Sequence, residues 1–205
     1  SEYPKVIYYA ERQLEDPSLT MYYPHINRLI GKSLFNIKEY QAAQEFYQKL
    51  AKSYSYAWVQ LGLAGTLLKQ NKIDEATELT TELLKRDDTK FATYDLLAEY
   101  HIDNEDYQQG YEIIQEATKL APRSIERNRK SWNLARLNHD KVGQYLATKN
   151  IAKYAKNSIH DSPDLQLNVI RSGLDLAATL SDTESDKVLV NTEKSIERLK
   201  QDFGA

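Results

Sequence analysis

Three segments of this chain repeat one helix–turn–helix pattern at a spacing of 33 to 34 residues. They open near Pro24, Ala57 and Phe91, and a weaker fourth copy opens near Ile125. A fixed period of this length marks stacked helix pairs, because one pair cannot bury its own apolar face and must lean on the next. The stack constrains function as well as fold. It offers an extended surface for recognition rather than a cleft for a reaction.

Within each segment the apolar residues recur at helical spacing. Ile26, Leu29, Ile30, Ser33 and Leu34 predict a first helix, a turn at 35–40 and a second helix over 41–53. The next unit predicts helices over 57–69 and 74–85 around Gln70-Asn71-Lys72, and the third predicts 91–102 and 106–120 around Asp103-Asn104-Glu105. Ahead of them lies a helix over 4–15, broken by Asp16-Pro17-Ser18 and expected to be the remnant of a preceding repeat. After them, His139-Asp140 turns the fourth unit, whose second helix is expected to run to Asn157. Ser162 as N-cap and Pro163 at the first position start a helix through Leu180, and a last helix covers 183–203. The final helix presents Val188, Leu189, Ile196, Leu199 and Phe203 on one side. Only 7 Gly and 5 Pro interrupt 205 residues, which favours long helices over many short strands.

The residues at fixed places in each unit resemble the tetratricopeptide repeat. The third unit reads Tyr94-x2-Leu97-Ala98-x2-His101, then Gly110-x3-Ile114, Ala117 and Pro122. The first reads Asn27-x2-Ile30-Gly31-x2-Leu34, then Ala43-x3-Tyr47; the second reads Gln60-x2-Leu63-Ala64-x2-Leu67, then Ala76-x3-Thr80. Asn128-x2-Ser131-Trp132-x2-Ala135 and Gln144-x3-Thr148 form the worn fourth copy. The resemblance implies an all-α, right-handed solenoid of antiparallel helix pairs, with about 10–11 helices. Its units would be an N-terminal helix over 1–22, repeats over 24–56, 57–90 and 91–124, a degenerate repeat over 125–158, and a C-terminal helix pair over 162–205 acting as a cap. Gly31, Ala64 and Ala98, with Ala43, Ala76, Gly110 and Ala117, would let helices approach, while Tyr47, Leu63 and Leu97 fill space and Pro122 ends the unit.

Catalytic chemistry finds little support. Cys is absent, so thiolate nucleophiles, disulfides and cysteine metal sites are excluded. His25, His101, His139 and His160 never pair at a metal-binding spacing, and no phosphate loop or nucleophile elbow is present. The expectation is therefore no enzyme, no metal and no cofactor. No apolar run reaches the ~18 residues of a membrane helix, which together with the absent Cys suggests a cytoplasmic setting. The only Met is Met21, so the chain is expected to be a segment of a longer product with more sequence ahead of Ser1.

Charge is uneven. Residues 122–160 hold nine Lys or Arg and two acids, a balance of +7, against −6 for 1–121 and −4 for 161–205. Arg123, Arg127, Arg129 and Lys130 form a candidate basic patch with Trp132 and Arg136 close by. An acidic protein fits it better than nucleic acid, since the chain as a whole is acidic at −3. The resemblance also implies a concave groove lined by first helices. Its facing residues would be Arg28 and Lys32, then Leu61, Gly65 and Leu68, then Asp95, Glu99 and Ile102, then Arg129, Asn133 and Arg136. Asp95 and Glu99 depart from the Lys and Asn clamp with which some members hold chaperone tails. An extended or helical peptide of mixed charge is the expected partner. The 15 Tyr, including Tyr8-Tyr9, Tyr22-Tyr23, Tyr54 and Tyr56, are expected to pack between helices with their hydroxyls toward water.

A narrower likeness comes from Tyr23-Pro24-His25, Ala57 to Ala64, Tyr94 to Ala98, Leu120 to Arg127, and Leu134-Ala135. Together these strings are similar to the C-terminal repeat region of bacterial response regulators that join a phospho-receiver to tetratricopeptide repeats. That likeness implies a non-catalytic output or adaptor module. The alternatives are a free-standing adaptor of a pilus or secretion system, and nucleic-acid binding through the fourth repeat.

Overall fold

The computed structural model describes residues 2–156, 158 and 160–204. It contains eleven α-helices and one short 3-10 helix, with no strand among the described residues. In order these are α1 (Tyr3–Gln13), the 3-10 helix (Pro17–Tyr22), α2 (Tyr23–Asn36), α3 (Tyr40–Ala51), α4 (Ala57–Lys69), α5 (Ile73–Leu84), α6 (Lys90–Asp103), α7 (Tyr107–Leu120), α8 (Ile125–Leu137), α9 (Lys141–Ala155), α10 (Pro163–Ala177) and α11 (Asp182–Phe203). The fold is all-α and built from antiparallel helix pairs. Most helix limits fall within two residues of those expected. The 3-10 helix was not expected: Asp16 accepts from the Ser18 amide at 2.9 Å and turns the break into an ordered coil. The second helix of the fourth pair ends at Ala155, and the expected end at Asn157, like Ser1, lies outside the described residues.

Four short turns follow one recipe. Lys38, Asn71, Glu105 and His139 have φ between 56° and 66°, the left-handed region. Each sits 33 or 34 residues from the next. In each turn the residue after it donates its amide five residues back: Glu39 to Leu34, Lys72 to Leu67, Asp106 to His101 and Asp140 to Ala135, at 2.8–3.1 Å. The left-handed residue itself donates three back, as in Lys38 to Phe35 and His139 to Arg136. This paired closure satisfies the orphan carbonyls at the helix end and reverses the chain. The fourth pair uses it unchanged, although its helices have lost most of the sequence pattern. The α10–α11 connection, Ala178 to Ser181, has no left-handed residue and so is a different kind of joint.

The chain divides after Leu96 into two compact units. In the first, α1 packs on α2, α2 on α3 and α4, α3 on α4, and α4 on α5. Its cores are Ala10, Ile26 and Ile30, and then Ala43, Tyr47, Leu50 and Val59. In the second, α7 packs on α8, α8 on α9, α9 on α10, and α10 on α11. Its cores are Ala98, Tyr111, Ile114, Leu134 and Ala135, and then Tyr145, Ala152, Val169 and Leu176. Each core is shared by consecutive helices, as stacking requires. Carboxamides stitch the turns together within each unit. Gln70 donates to the Tyr40 carbonyl at 3.2 Å and to Gln44 Oε1 at 2.9 Å, and Asn138 donates to the Tyr107 carbonyl at 3.0 Å.

Ala43, Ala64, Ala76, Ala98 and Ala117 have no solvent exposure, and Gly31 and Gly110 are buried. Leu63 and Leu97 are half-buried. Pro122 departs from its assigned packing role: it is exposed, and it contributes its carbonyl, which accepts from Asn128 Nδ2 at 2.9 Å. In the fourth pair Gln144 is half-buried and the close approach belongs to Gly143, where a Cβ would collide with the Tyr111 hydroxyl. Several tyrosines also depart from their expected packing. Tyr8, Tyr9 and Tyr22 are 54%, 61% and 52% exposed, because α1 and the 3-10 helix have only α2 to lean on.

Candidate partner-binding surfaces

The groove residues of the first unit separate into two kinds. Arg28 and Lys32 on α2 are exposed one turn apart, and Leu61 on α4 is half-buried. Gly65 and Leu68 are buried. A Cβ on Gly65 would lie 3.3 Å from Leu96 Cδ1 and 3.7 Å from the Phe35 ring. The place assigned to an apolar floor is thus already covered by this unit's own side chains, and a partner reaches neither residue. Asp95, on α6, is half-buried.

In the second unit the basic patch and the groove set, which already share Arg129, meet at a second point. Lys130 Nζ, from the basic patch, lies 2.8 Å from Glu99 Oε1, from the groove set. The lysine side chain keeps only 25% of its exposure, so this cation is held against α6 rather than offered outward. Arg127 is half-buried in the same way, and Ile102 packs against the Ala98–Ile114 core. Arg123, Arg129, Asn133 and Arg136 remain exposed. Arg136 donates to Asn133 Oδ1 at 3.2 Å and its guanidinium lies 6.0 Å from the Trp132 ring centroid, within cation–π range. Ser124 caps α8 by accepting from the Arg127 amide at 3.3 Å, which fixes where the basic face begins.

His101 packs as its place in the repeat implies. It is half-buried, edge-on to Tyr100, with Nδ1 3.1 Å from Asp106 Oδ2. Among the described residues no three His, Asp or Glu gather as metal ligands. The perturbed groups are buried phenols. Burial pushes the Tyr47 hydroxyl up to about 12, with Arg28 pulling the other way, and burial followed by the Asp140 hydrogen bond at 2.9 Å takes Tyr111 to about 12. Neither phenol is poised to act as an acid or base near neutral pH.

Sequence reasoning missed Gly62, which pairs with Gly31 to receive the hydroxyl end of the Tyr47 ring. A Cβ at Gly31 would lie 2.7 Å from that ring, and one at Gly62 2.5 Å from its Cε1. The signal for Gly62 was Trp58-x2-Leu61-Gly62, which matches the opening of the repeat but lies two residues ahead of the register that keeps the 34-residue period. It also missed the latch that holds α11. Arg198 donates to both carboxylate oxygens of Asp161 at 3.0 and 3.2 Å, to Asp202 at 2.9 Å and to the Ala152 carbonyl at 3.3 Å.

The helix pairs carry small residues at their crossings and left-handed turns at a 33–34 residue period. Residues 38–100 match the family model described as tetratricopeptide repeat. Over that stretch the chain is similar to tetratricopeptide repeats. The model covers less than half of the chain. The fold of the whole is similar to the crystal structure of BtubC (BKLC) from P. vanneervenii, at 13% identity and a TM-score of 0.52, covering 98% of this chain and 87% of that one. Similar too are TTC0263, a thermophilic TPR protein in Thermus thermophilus (14% identity, 83% and 97% coverage, TM-score 0.46), and the MamA RS-1 ArsTM double mutant (9% identity, 87% and 96%, TM-score 0.49). At such identities the first likeness speaks for the fold alone. No curated protein sequence matches the chain. No described helix is long and apolar enough to cross a membrane.

Proposed function

We propose that this chain is a non-catalytic scaffold that binds a protein or peptide partner on the faces of its first helices. The observation that supports the reading most is an exposed cation at the same place of two pairs, Arg28 and Arg129, each with a second exposed cation further along its helix. Arg28 and Lys32 stand out on α2, and Arg129 and Arg136 stand out on α8, each set one or two turns apart on one side of its helix. Repeats of this kind generally serve protein recognition. The buried Gly65 and Leu68 narrow the surface in the first unit to α2 and the outer edge of α4.

Affinity capture with the chain as bait tests this. Replacing Arg28 and Lys32 by Glu, or Arg129 and Arg136 by Glu, is expected to reduce recovery of the partner about tenfold or more. Undiminished recovery by both pairs of variants would remove the first-helix faces from consideration. A narrower role, as the output module of a cytoplasmic response regulator, is supported by the likeness of the strings at 94–98 and 120–127 to receiver-linked repeats. The coding sequence ahead of Ser1 decides it. A phospho-receiver there supports the role, and a lipoprotein signal favours a free-standing adaptor instead.

A further inference from the structure

One place in the first helix of each pair holds Gly31, Ala64 and Ala98, all buried. In the fourth pair that place is Trp132. An indole cannot sit where glycine or alanine lets two helices close, because interiors pack without spare volume. Trp132 is instead half-buried, and a cavity of about 280 Å³ opens beside it between α8, α9 and the start of α10. Its lining includes Trp132, Ile151 and Leu165 as apolar wall, with Arg129, His160 and Asp164 among its polar members. Small-molecule pockets run from ~300 to ~1,000 Å³. This one lies just below that range, with room for a single bulky side chain.

The rim carries charge that is not spent internally. The Arg129 side chain is exposed and makes no hydrogen bond, ion pair or ring contact with any described residue. Arg136 lies over the Trp132 ring, adding a second cation. Asp164 is the sole acid among the described lining residues, and it sits in the first turn of α10, where the helix end stabilises a carboxylate. Around the cavity, residues 122–160 carry a balance of +7, while the chain on either side is acidic. An acidic segment is repelled by the flanks and drawn to this point.

We propose that the cavity anchors an acidic peptide segment of a partner protein. One bulky apolar side chain of that segment enters against Trp132, and a neighbouring carboxylate pairs with Arg129. This rests on the protein-binding reading above and names both the class of peptide and the residues that hold it. The fourth pair, least regular in sequence, becomes the specific one because a wedge replaces a close contact.

The test uses the full chain. Trp58→Phe leaves Trp132 as the single tryptophan, so its emission reports on the cavity. A random-peptide display library panned on this chain supplies the probes. Peptides are expected to share a bulky apolar residue flanked by Asp or Glu, and to shift the Trp132 emission. Arg129→Glu, on an exposed side chain that folding does not need, is expected to weaken them about tenfold or more, as is alanine at the peptide's bulky residue. Trp132→Ala should do the same if the circular dichroism shows it folded. The proposal fails if the selected peptides lack acids, or bind the Arg129→Glu chain unchanged, or are displaced by single-stranded oligouridylate, which would make the patch a nucleic-acid site. Peptides that depend on Arg28 and Lys32 instead would leave the scaffold reading standing and remove the cavity. A library that yields no saturable binder would remove both.

Discussion

Tyr47 shows how one side chain dictates its neighbours' identities. Its ring tip fills a notch between Gly31 on α2 and Gly62 on α4, so both helices keep glycine where intrinsic propensity prefers alanine by ~1 kcal/mol. Overpacking a core costs ~1–3 kcal/mol, so Gly62→Ala is expected to lower the unfolding free energy by about 1–2 kcal/mol in urea despite the better helix former. In a Tyr47→Thr background, matching Thr80 and Thr148 at that place in other pairs, the same change should become neutral or stabilising. Equal losses in both backgrounds would refute the steric account. Buried phenols also give the chain an alkaline limit. A phenol ionises near 10 in the unfolded chain and near 12 at Tyr47 and Tyr111 in the folded one. Between those values the unfolded state has released protons that the native state retains, so stability is intact below pH 10 and falls as pH rises toward 12. Urea midpoints measured across that window should decline, and less steeply in the Tyr47→Phe, Tyr111→Phe double variant.

Helix ends, more than helix faces, carry the repeat through this chain. The faces of the first three pairs were legible because small and large apolar residues alternate at 3.6-residue spacing, and Ala57–Lys69 came out to the residue. The left-handed turns were not legible, because Lys38, Glu105 and His139 are not residues that announce a positive φ. Only Asn71 hints at it, since a short carboxamide tolerates that conformation. Lysine, glutamate and histidine do so at a local cost, which the double carbonyl closure offsets. Glycine at those places is therefore expected to stabilise, by about 0.5–1 kcal/mol each for Lys38→Gly, Glu105→Gly and His139→Gly, and by least for Asn71→Gly. Thermal melts of the four variants check the ranking, and a loss at His139 alone would mean that its turn is held by contacts the other three lack. The candidate site was half legible. Arg28, Lys32, Arg129 and Arg136 are exposed as helical periodicity implies, whereas Leu68 is buried and Gly65 is covered by Phe35 and Leu96, whose reach no spacing rule reveals.

Across the whole chain, charge and regularity run in opposite directions. Residues 1–121 sum to −6 and 161–205 to −4, and the basic balance of +7 falls on the pair that departs most from the pattern. An acidic partner is therefore expected to associate more slowly as salt rises, since screening shortens from ~10 Å at 0.1 M to ~3 Å at 1 M. Stopped-flow association rates for a selected acidic peptide measure this, and a rate indifferent to salt would mean that the patch does not steer. The departure of the fourth pair was legible because Trp132 and Gln144 break the pattern in residue type, whereas the closure of its backbone in the same form as the others was not. The recurring closure has a consequence for the chain's own history and for its manipulation. Asn71 and Glu105 occupy the same phase of successive turns, so excising residues 72–105 would join Asn71 directly to Asp106 and bring α4 to α7 through a turn of unchanged form. The chain is in this respect a text with punctuation at fixed intervals. It can lose or gain a whole clause at those marks, but any shorter edit shifts every later helix onto the wrong face.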